Sequence, residues 1–508
     1  MTVPTPFPGV PVTETSFQSR SITGVPTSIT AFVGSAARGP VGTPTAIRDQ
    51  SEFVRTFGPP SETHPIGHLV RDFFGNGGRE AVIVRLTRTG AGVLATASSA
   101  SVGSLELEAG NVGAWGDRLT ASVAAAHGGA AVAAAQGVAV DELFDLTVTD
   151  TGTGETEVFP DVTVVDGPRR IDLVLAGSRL VTLGSVPATR PAVTPATPFT
   201  GGADGDPLSE SDYVGDETSR TGVWSLLDVD LVNLVCLAPP RLASDVPPAA
   251  WQAASRFCVA RRAFLVVDTP VAATTTGDVA AFASTTLGIT GRDARNAALY
   301  FPRLRESDPS AGGAISEIPC SGAVAGVIAR TDMDRGVWRS PSGTTAAVGR
   351  ALGLAVPVGT DVLGVLHPLG INGLRTTNGG STLVWGARTL RGADAAGPDD
   401  FRYVPVRRLA LFLEESLVRG LAWVAFEPND GPLWAAIRLS VGTFLEGLFR
   451  DGAFAGRTVA DSCFVRCDDT TTTPADIEAG VVHVDIGVAP LRPAEFVVIR
   501  MGLRTASL

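Results

Sequence analysis

Cys463 and Cys467 stand four residues apart with His483 downstream, the closest approach to a metal-site spacing in this chain. A zinc centre needs four nitrogen or sulfur ligands, and no further ligand stands at a sensible distance. The two thiols therefore read as packing against a core from one side of a strand. His64 and His68 are also four apart, but Pro65 takes the place of the glutamate that follows the first histidine in a zincin helix. That pair reads as the surface face of a helix. Asn76-Gly77-Gly78-Arg79 offers a glycine-rich turn to a phosphate, yet it follows a helical pattern and precedes a strand, the reverse of a nucleotide-binding loop. A helix C-cap is the simpler reading. The acidic stretch 201–215 suggests calcium but lacks the ligand spacing of an EF-hand loop. With no Gly-x-Ser-x-Gly elbow and no Walker motif, the expectation is no catalytic residues, no cofactor and no metal.

The elements around these residues alternate between helix and strand. Residues 29–34 read as a strand. Asp49 or Ser51 caps a short helix carrying Phe53 and Phe57, and Ser61 caps a second with Ile66, Leu69, Val70, Phe73 and Phe74 at three-four spacing. A strand follows over 79–86. Residues 91–200 are rich in Ala, Gly, Thr and Val, with short alternating runs at 143–148 and 171–175, and read as a β-rich insertion. From 201 to 370 a strand (231–237), a helix (247–259), a strand (263–267), a helix and a strand (297–301) indicate an α/β layer. Residues 406–419 form a helix with Leu409, Phe412, Leu413 and Leu417 on one stripe and Glu415 paired with Arg419. Residues 421–426 read as a buried strand. Asn429 or Asp430 then caps a helix that opens with Pro432, carries Trp434, Ile437, Val441, Phe444, Leu445 and Leu448 on one face, and stops near Gly452. Residues 462–467 form a strand.

Composition bounds the class. The 508 residues exceed one ordinary domain, and 44% hydrophobic with 18% charged residues marks a globular chain. No run approaches the roughly 20 apolar residues of a membrane span, and the first residues lack the regions of a signal peptide. Five cysteines at irregular spacing imply no disulfide framework, so synthesis in a reducing cytoplasm is expected. A net charge of −12 argues against a nucleic-acid partner. All forty basic residues are arginine, so every cation is able to bind carboxylates bidentately.

The two ends are the most informative segments. Residues 1–22 carry prolines at 4, 6, 8 and 11 and favour an extended arm. Near the other end a short helical turn from Pro474 leads to an alternating strand, with Val482, Val484 and Ile486 on one face, and then to a second over 495–501. Such strands need partners, from the same fold or from another copy.

These ends also carry a family resemblance. Phe7-Pro-Gly-Val-Pro-Val-Thr-Glu14, residues 25–40, 53–58 and 72–85, then Ile371-Asn-Gly-Leu-Arg375, residues 383–390, Val406-Arg-Arg-Leu409, Phe412-Leu-Glu-Glu-Ser416, Phe426-Glu-Pro-Asn-Asp430 and the stretch 474–501 occur in the order used by contractile-tail sheath proteins. The chain resembles that family over roughly its first ninety and last hundred and forty residues. The resemblance implies a mixed α/β multidomain fold: an N-terminal arm (1–22), an inner sheath domain built from 23–90 and 371–493, a β-rich outer insertion (91–200), a middle α/β domain (201–370) and a C-terminal strand arm (494–508). It implies a structural subunit that stacks in rings, usually of six, around an inner tube protein, meets baseplate and cap proteins, and contracts to drive the tube. Such particles are phage tails or phage-tail-like injection machines, released or retained. Val10, Pro11, Val12, Thr13, Glu14 and Thr15, with Glu495, Phe496, Val497, Val498, Ile499, Arg500 and Met501, are then the arm residues that pair with neighbouring subunits. A tube contact is expected through Arg402, Arg407 and Arg408, or Arg438 and Arg450. Two other readings stay open: a non-contracting surface or capsid-like protein, and an α/β enzyme with a β-rich appendage.

Overall fold

The structure is a computed structural model that describes residues 21–495. It contains a mixed α/β chain with several sheets, and the chain divides into two units: residues 26–408 with 493–508, and residues 1–25 with 409–492.

The first unit is organised by a nine-stranded sheet. Its six central strands are parallel and run in the order Ile371–Thr376, Ala297–Phe301, Phe264–Asp268, Leu234–Leu237, Thr30–Gly34 and Ala81–Arg85. Antiparallel strands close both edges, Thr45–Ile47 beyond Ala81–Arg85, and Thr382–Val384 followed by Ala347–Val348 at the other side. Five of the central strands are buried at every residue, which is why they read as continuous apolar runs rather than alternating ones. One face of this sheet packs a core that includes Trp224, Trp251, Phe257 and Phe301.

This pairing runs across the boundaries expected at 201 and 371. Strands from 30–85, 234–301 and 371–384 share one sheet, so the N-terminal segment and the middle α/β layer lie in the same unit. Parallel pairing is non-local, and nothing in a local pattern announces which strand lies beside which. Residues 99–198 form two smaller antiparallel sheets, one of four strands and one of three, over a core of their own containing Trp115, Phe144 and Phe199. The run 171–175, expected as strand, is a short helix, Ile171–Leu175.

The helix Ile66–Gly75 corrects a second expectation. It is enclosed: every residue from Ile66 to Phe73 is buried, and His68 is fully buried rather than on a surface face. The cause lies in the helix Ser321–Arg335. A Cβ on Gly322 would sit 2.2 Å from the Leu69 carbonyl oxygen, and one on Gly326 would sit 2.5 Å from that of Phe73. Two glycines one turn apart thus let the helix backbones touch. Ser61 does not cap this helix; its hydroxyl accepts from the His64 N–H at 3.1 Å in the preceding turn. The helix ends at Asn76 as expected, with the Gly78 N–H returning to the Phe73 carbonyl at 2.9 Å and Gly77 at φ +111°.

The second unit holds most of the helix Val404–Gly420, the helix Gly431–Arg450 and an antiparallel pair, Cys463–Arg466 with Asp485–Val488. Asp430 caps the Gly431–Arg450 helix through the Leu433 N–H at 3.0 Å, and Leu433, Ile437, Val441, Leu445 and Leu448 form its buried face. The run 421–426 is not a buried strand. Ala422–Val424 is a 3-10 turn and Phe426 is fully exposed. The run is followed by a proline and a helix cap, leaving no room for a strand to find a partner.

Candidate functional site at the roots of the terminal arms

Val10 to Thr15 and Phe496 to Met501, expected to pair with neighbours, lie outside the described residues. The structure does define where the chain near each arm is fastened. Near the C-terminal end this is Glu495, the thirteenth expected arm residue. Arg388 donates to both of its oxygens, Nε to Oε1 at 2.7 Å and Nη2 to Oε2 at 2.6 Å, while His367 Nε2 lies 2.9 Å from Oε1. Arg388 also donates to the His367 carbonyl at 2.9 Å and to Asp394 at 3.0 Å. Its backbone is held by fully buried Asn372, which accepts from the Arg388 N–H at 2.7 Å and donates to the Arg388 carbonyl at 2.8 Å. The result is a planar, bidentate pair whose arginine side chain is only 4% exposed.

The titration of these groups follows from the geometry. Partial burial pushes the Glu495 carboxyl up, but the hydrogen bonds and charge of Arg388, with His367, outweigh it and hold the group below the usual carboxylate range. His367 is held below its ordinary value by burial and by the Arg388 charge, against the opposing pull of Glu495.

A second buried pair lies where the chain passes between units near 26 and 408. Arg408 donates to both oxygens of Asp332, at 2.7 and 2.6 Å, and to the Thr27 carbonyl at 2.8 Å. Thr27 Oγ1 donates to the same carboxylate at 2.7 Å. The Arg408 and Asp332 side chains are 4% and 3% exposed. Each passage of the chain between its units, at 25/26, 408/409 and 492/493, is thus followed or preceded within three residues by a group fixed to a buried ion pair.

The guanidinium of Arg408, one of the expected tube contacts, is thus bonded inside the unit. Arg402 pairs with Asp394, and Arg407 lies over the Phe401 ring at 4.7 Å and donates to Asn296 Oδ1 at 2.9 Å. Arg438 donates to the Cys467 carbonyl. Arg450 is the most exposed of the five, its side chain 73% accessible beside Glu446 one turn earlier. Cys467 is buried and Cys463 half-buried, with both thiols pushed up by burial. Among the described residues no group of three or more His, Cys, Asp or Glu side chains is placed to hold a metal ion.

Arg388 falls within one of the sequence blocks that carried the resemblance, and Glu495 opens the terminal strand; their pairing across 107 residues had no local signal. Asp332 had none at all, since an acidic residue late in a helix reads as solvated surface.

Residues 397–504 match the model of the phage tail sheath C-terminal domain. The tail sheath protein of Enterobacteria phage T4 is 25% identical over 182 residues, 35% of this chain and 26% of that protein, so the match spans about a quarter of the relative's length. The sheath of the extracellular contractile injection system PVC, in its contracted state, superposes with a TM-score of 0.59 at 20% identity, covering 99% of this chain and 98% of that one. The sheath tail protein of Listeria innocua gives 0.62 at 13% identity, covering 93% and 97%. The likeness of fold runs through essentially the whole chain, the domain match places the family's C-terminal domain within it, and the resemblance to contractile-tail sheath proteins read from the sequence is borne out.

Proposed function

We propose that this chain is the structural sheath subunit of a contractile phage-tail-like injection machine. It polymerises around an inner tube in stacked six-membered rings and contracts to drive the tube forward. The observation that supports this most is the sheath C-terminal domain match, which contains the strand pair Cys463–Arg466 and Asp485–Val488. A sheet of only two strands among the described residues leaves both of its edges open, and an extended segment satisfies such an edge through backbone hydrogen bonds alone. The terminal arms, Val10–Thr15 and Glu495–Met501, are the segments this reading assigns to neighbouring subunits. Arms that join copies head to tail give an open helical lattice, which stays connected while the bodies rearrange.

The role is mechanical rather than catalytic. The insertion at 91–200, with a core of its own, is assigned to the outer surface. The tube-facing side is assigned to Arg438 and Arg450, with Arg402 and Arg407 as the alternative cluster; a wet arginine–carboxylate contact is weak enough per pair to be released. Baseplate and cap proteins complete the expected partners. Deleting residues 1–15, or everything after Pro493, should leave a folded body that builds no sheath on tubes. Normal-length rods from both truncations would refute the arm assignment.

A further inference from the structure

Phe426 is the least sheltered large apolar side chain among the described residues, fully exposed and on a backbone at φ +71°. A bulky residue in the left-handed region is an outlier that costs energy, and such strain is kept where surrounding structure imposes it. The surroundings do so here. Just beyond it Asn429 donates to the Val481 carbonyl at 2.9 Å and accepts from the Trp434 indole N–H at 2.9 Å, while Asp430 caps the next helix. The aromatic ring is therefore presented to solvent by a fastened loop.

The same unit carries a groove of about 400 Å³, roomy enough to admit an aromatic ring. Ile22, Gly24, Phe412, Leu439, Phe444 and Leu448 line it, and Leu439 is largely exposed on its rim. Phe412 and Phe444 lie 6.1 Å apart between centroids, offering ring edges and faces to a third aromatic. Phe426 stands in solvent, so it does not occupy the groove of its own copy.

We propose that Phe426 enters this groove on a second copy of the chain. A protrusion and a recess on different parts of one surface make a heterologous contact, which propagates from copy to copy instead of closing a pair. An aromatic anchor held in its binding conformation loses little freedom on docking, which is the pattern of an interface hot spot. The contact uses side chains where the arms use backbone, so it supplies what strand donation lacks, a fixed orientation between neighbours. It goes beyond the sheath reading and can fail while that reading stands.

Two single variants of the full chain test it, with sheath assembly on tubes as the readout. Phe426→Ser removes the protrusion at a site that is fully exposed among the described residues. Gly447→Leu narrows the recess from within a helix, where an added Cβ meets no described atom within 4 Å. Each should raise the concentration needed for rods by at least ~30-fold, the scale of a hot-spot residue. An equimolar mixture of the two, below the concentration at which either alone forms rods, should give two-copy complexes, because one intact contact forms and cannot propagate. Copies carrying Phe426→Cys, mixed with copies carrying Ser440→Cys and oxidised, should join as a disulfide-linked pair. Rods from Phe426→Ser at the wild-type concentration, or a Phe426→Cys chain that cross-links to the tube protein instead, would overturn the proposal. If the wild-type chain builds no rods at all, the sheath reading falls, and the cysteine pair still decides the contact.

Discussion

Replacing Asp332 by alanine should be among the costliest single changes in the first unit. The carboxylate accepts two hydrogen bonds from Arg408 and one from Thr27, and both charged side chains are almost completely sequestered. Removing it strands a buried guanidinium whose other hydrogen bond among the described residues is to the Thr27 carbonyl. Breaking a buried pair in this way costs about 3–5 kcal/mol. For a unit of about 400 residues melting with an entropy of ~2.1 cal/mol/K per residue, that is a fall in Tm of about 4–6 °C. Arg408→Met should cost a similar amount, since it leaves the carboxylate buried beside Thr27 alone. The double variant Asp332→Ala, Arg408→Met should be less destabilised than the sum of the two, because neither charge is then left unpaired. Differential scanning calorimetry on dispersed subunits measures all three. A shift below about 1 °C for Asp332→Ala, or strict additivity in the double variant, would refute the assignment of this pair as a buried fastening.

Three further outcomes follow from the same geometry. Burial holds the His68 imidazole down to a pKa of about 4, with Arg71 adding to the effect and Asp308 opposing it; a folded-state value below the ordinary 6.5 gives stability present above that pH and lost as pH falls towards 4, about 3 kcal/mol in all. With five histidines in the chain, selective isotope labelling can follow this ring by NMR, and titration near 6.5 would contradict its burial. Gly322→Ala should destabilise the first unit by about 1–3 kcal/mol or more, since the new methyl meets the Leu69 backbone and no side chain can yield; an unchanged Tm would show that the two helices do not touch there. Arg450→Glu should leave the subunit's stability within about 0.5 kcal/mol while weakening sheath growth on tubes in a salt-dependent way; growth equal to wild type at low and high salt would remove Arg450 from the tube contact.

The sequence was legible where structure is local. Asp49 and Asp430 cap the helices expected of them, the Arg419–Glu415 pair forms at 2.7 Å, and 297–301 is a strand to the residue. Short runs were less decisive: Ile171–Leu175 is five residues long, too few to separate a period of 2 from one of 3.6, and Arg170 fastens its start through Asp172 and Asp166. The 421–426 run had strand-like residues and no neighbour to pair with. What sequence did not reveal depends on distant contacts. His68 is buried because Gly322 and Gly326 bring a helix from about 250 residues away against its own, and parallel strands from three regions interleave in one sheet. The site was half legible for the same reason: Glu495 was visible as the start of a strand, its pairing with Arg388 was not.

The central claim is that this chain builds a sheath that contracts, and electron microscopy of the chain co-expressed with its tube protein tests it most directly. The account predicts rods in two forms, long and narrow or short and wide, with the tube enclosed in the first and protruding from the second. Monodisperse subunits that never coat the tube, or a lattice of one fixed length under every condition, would contradict it.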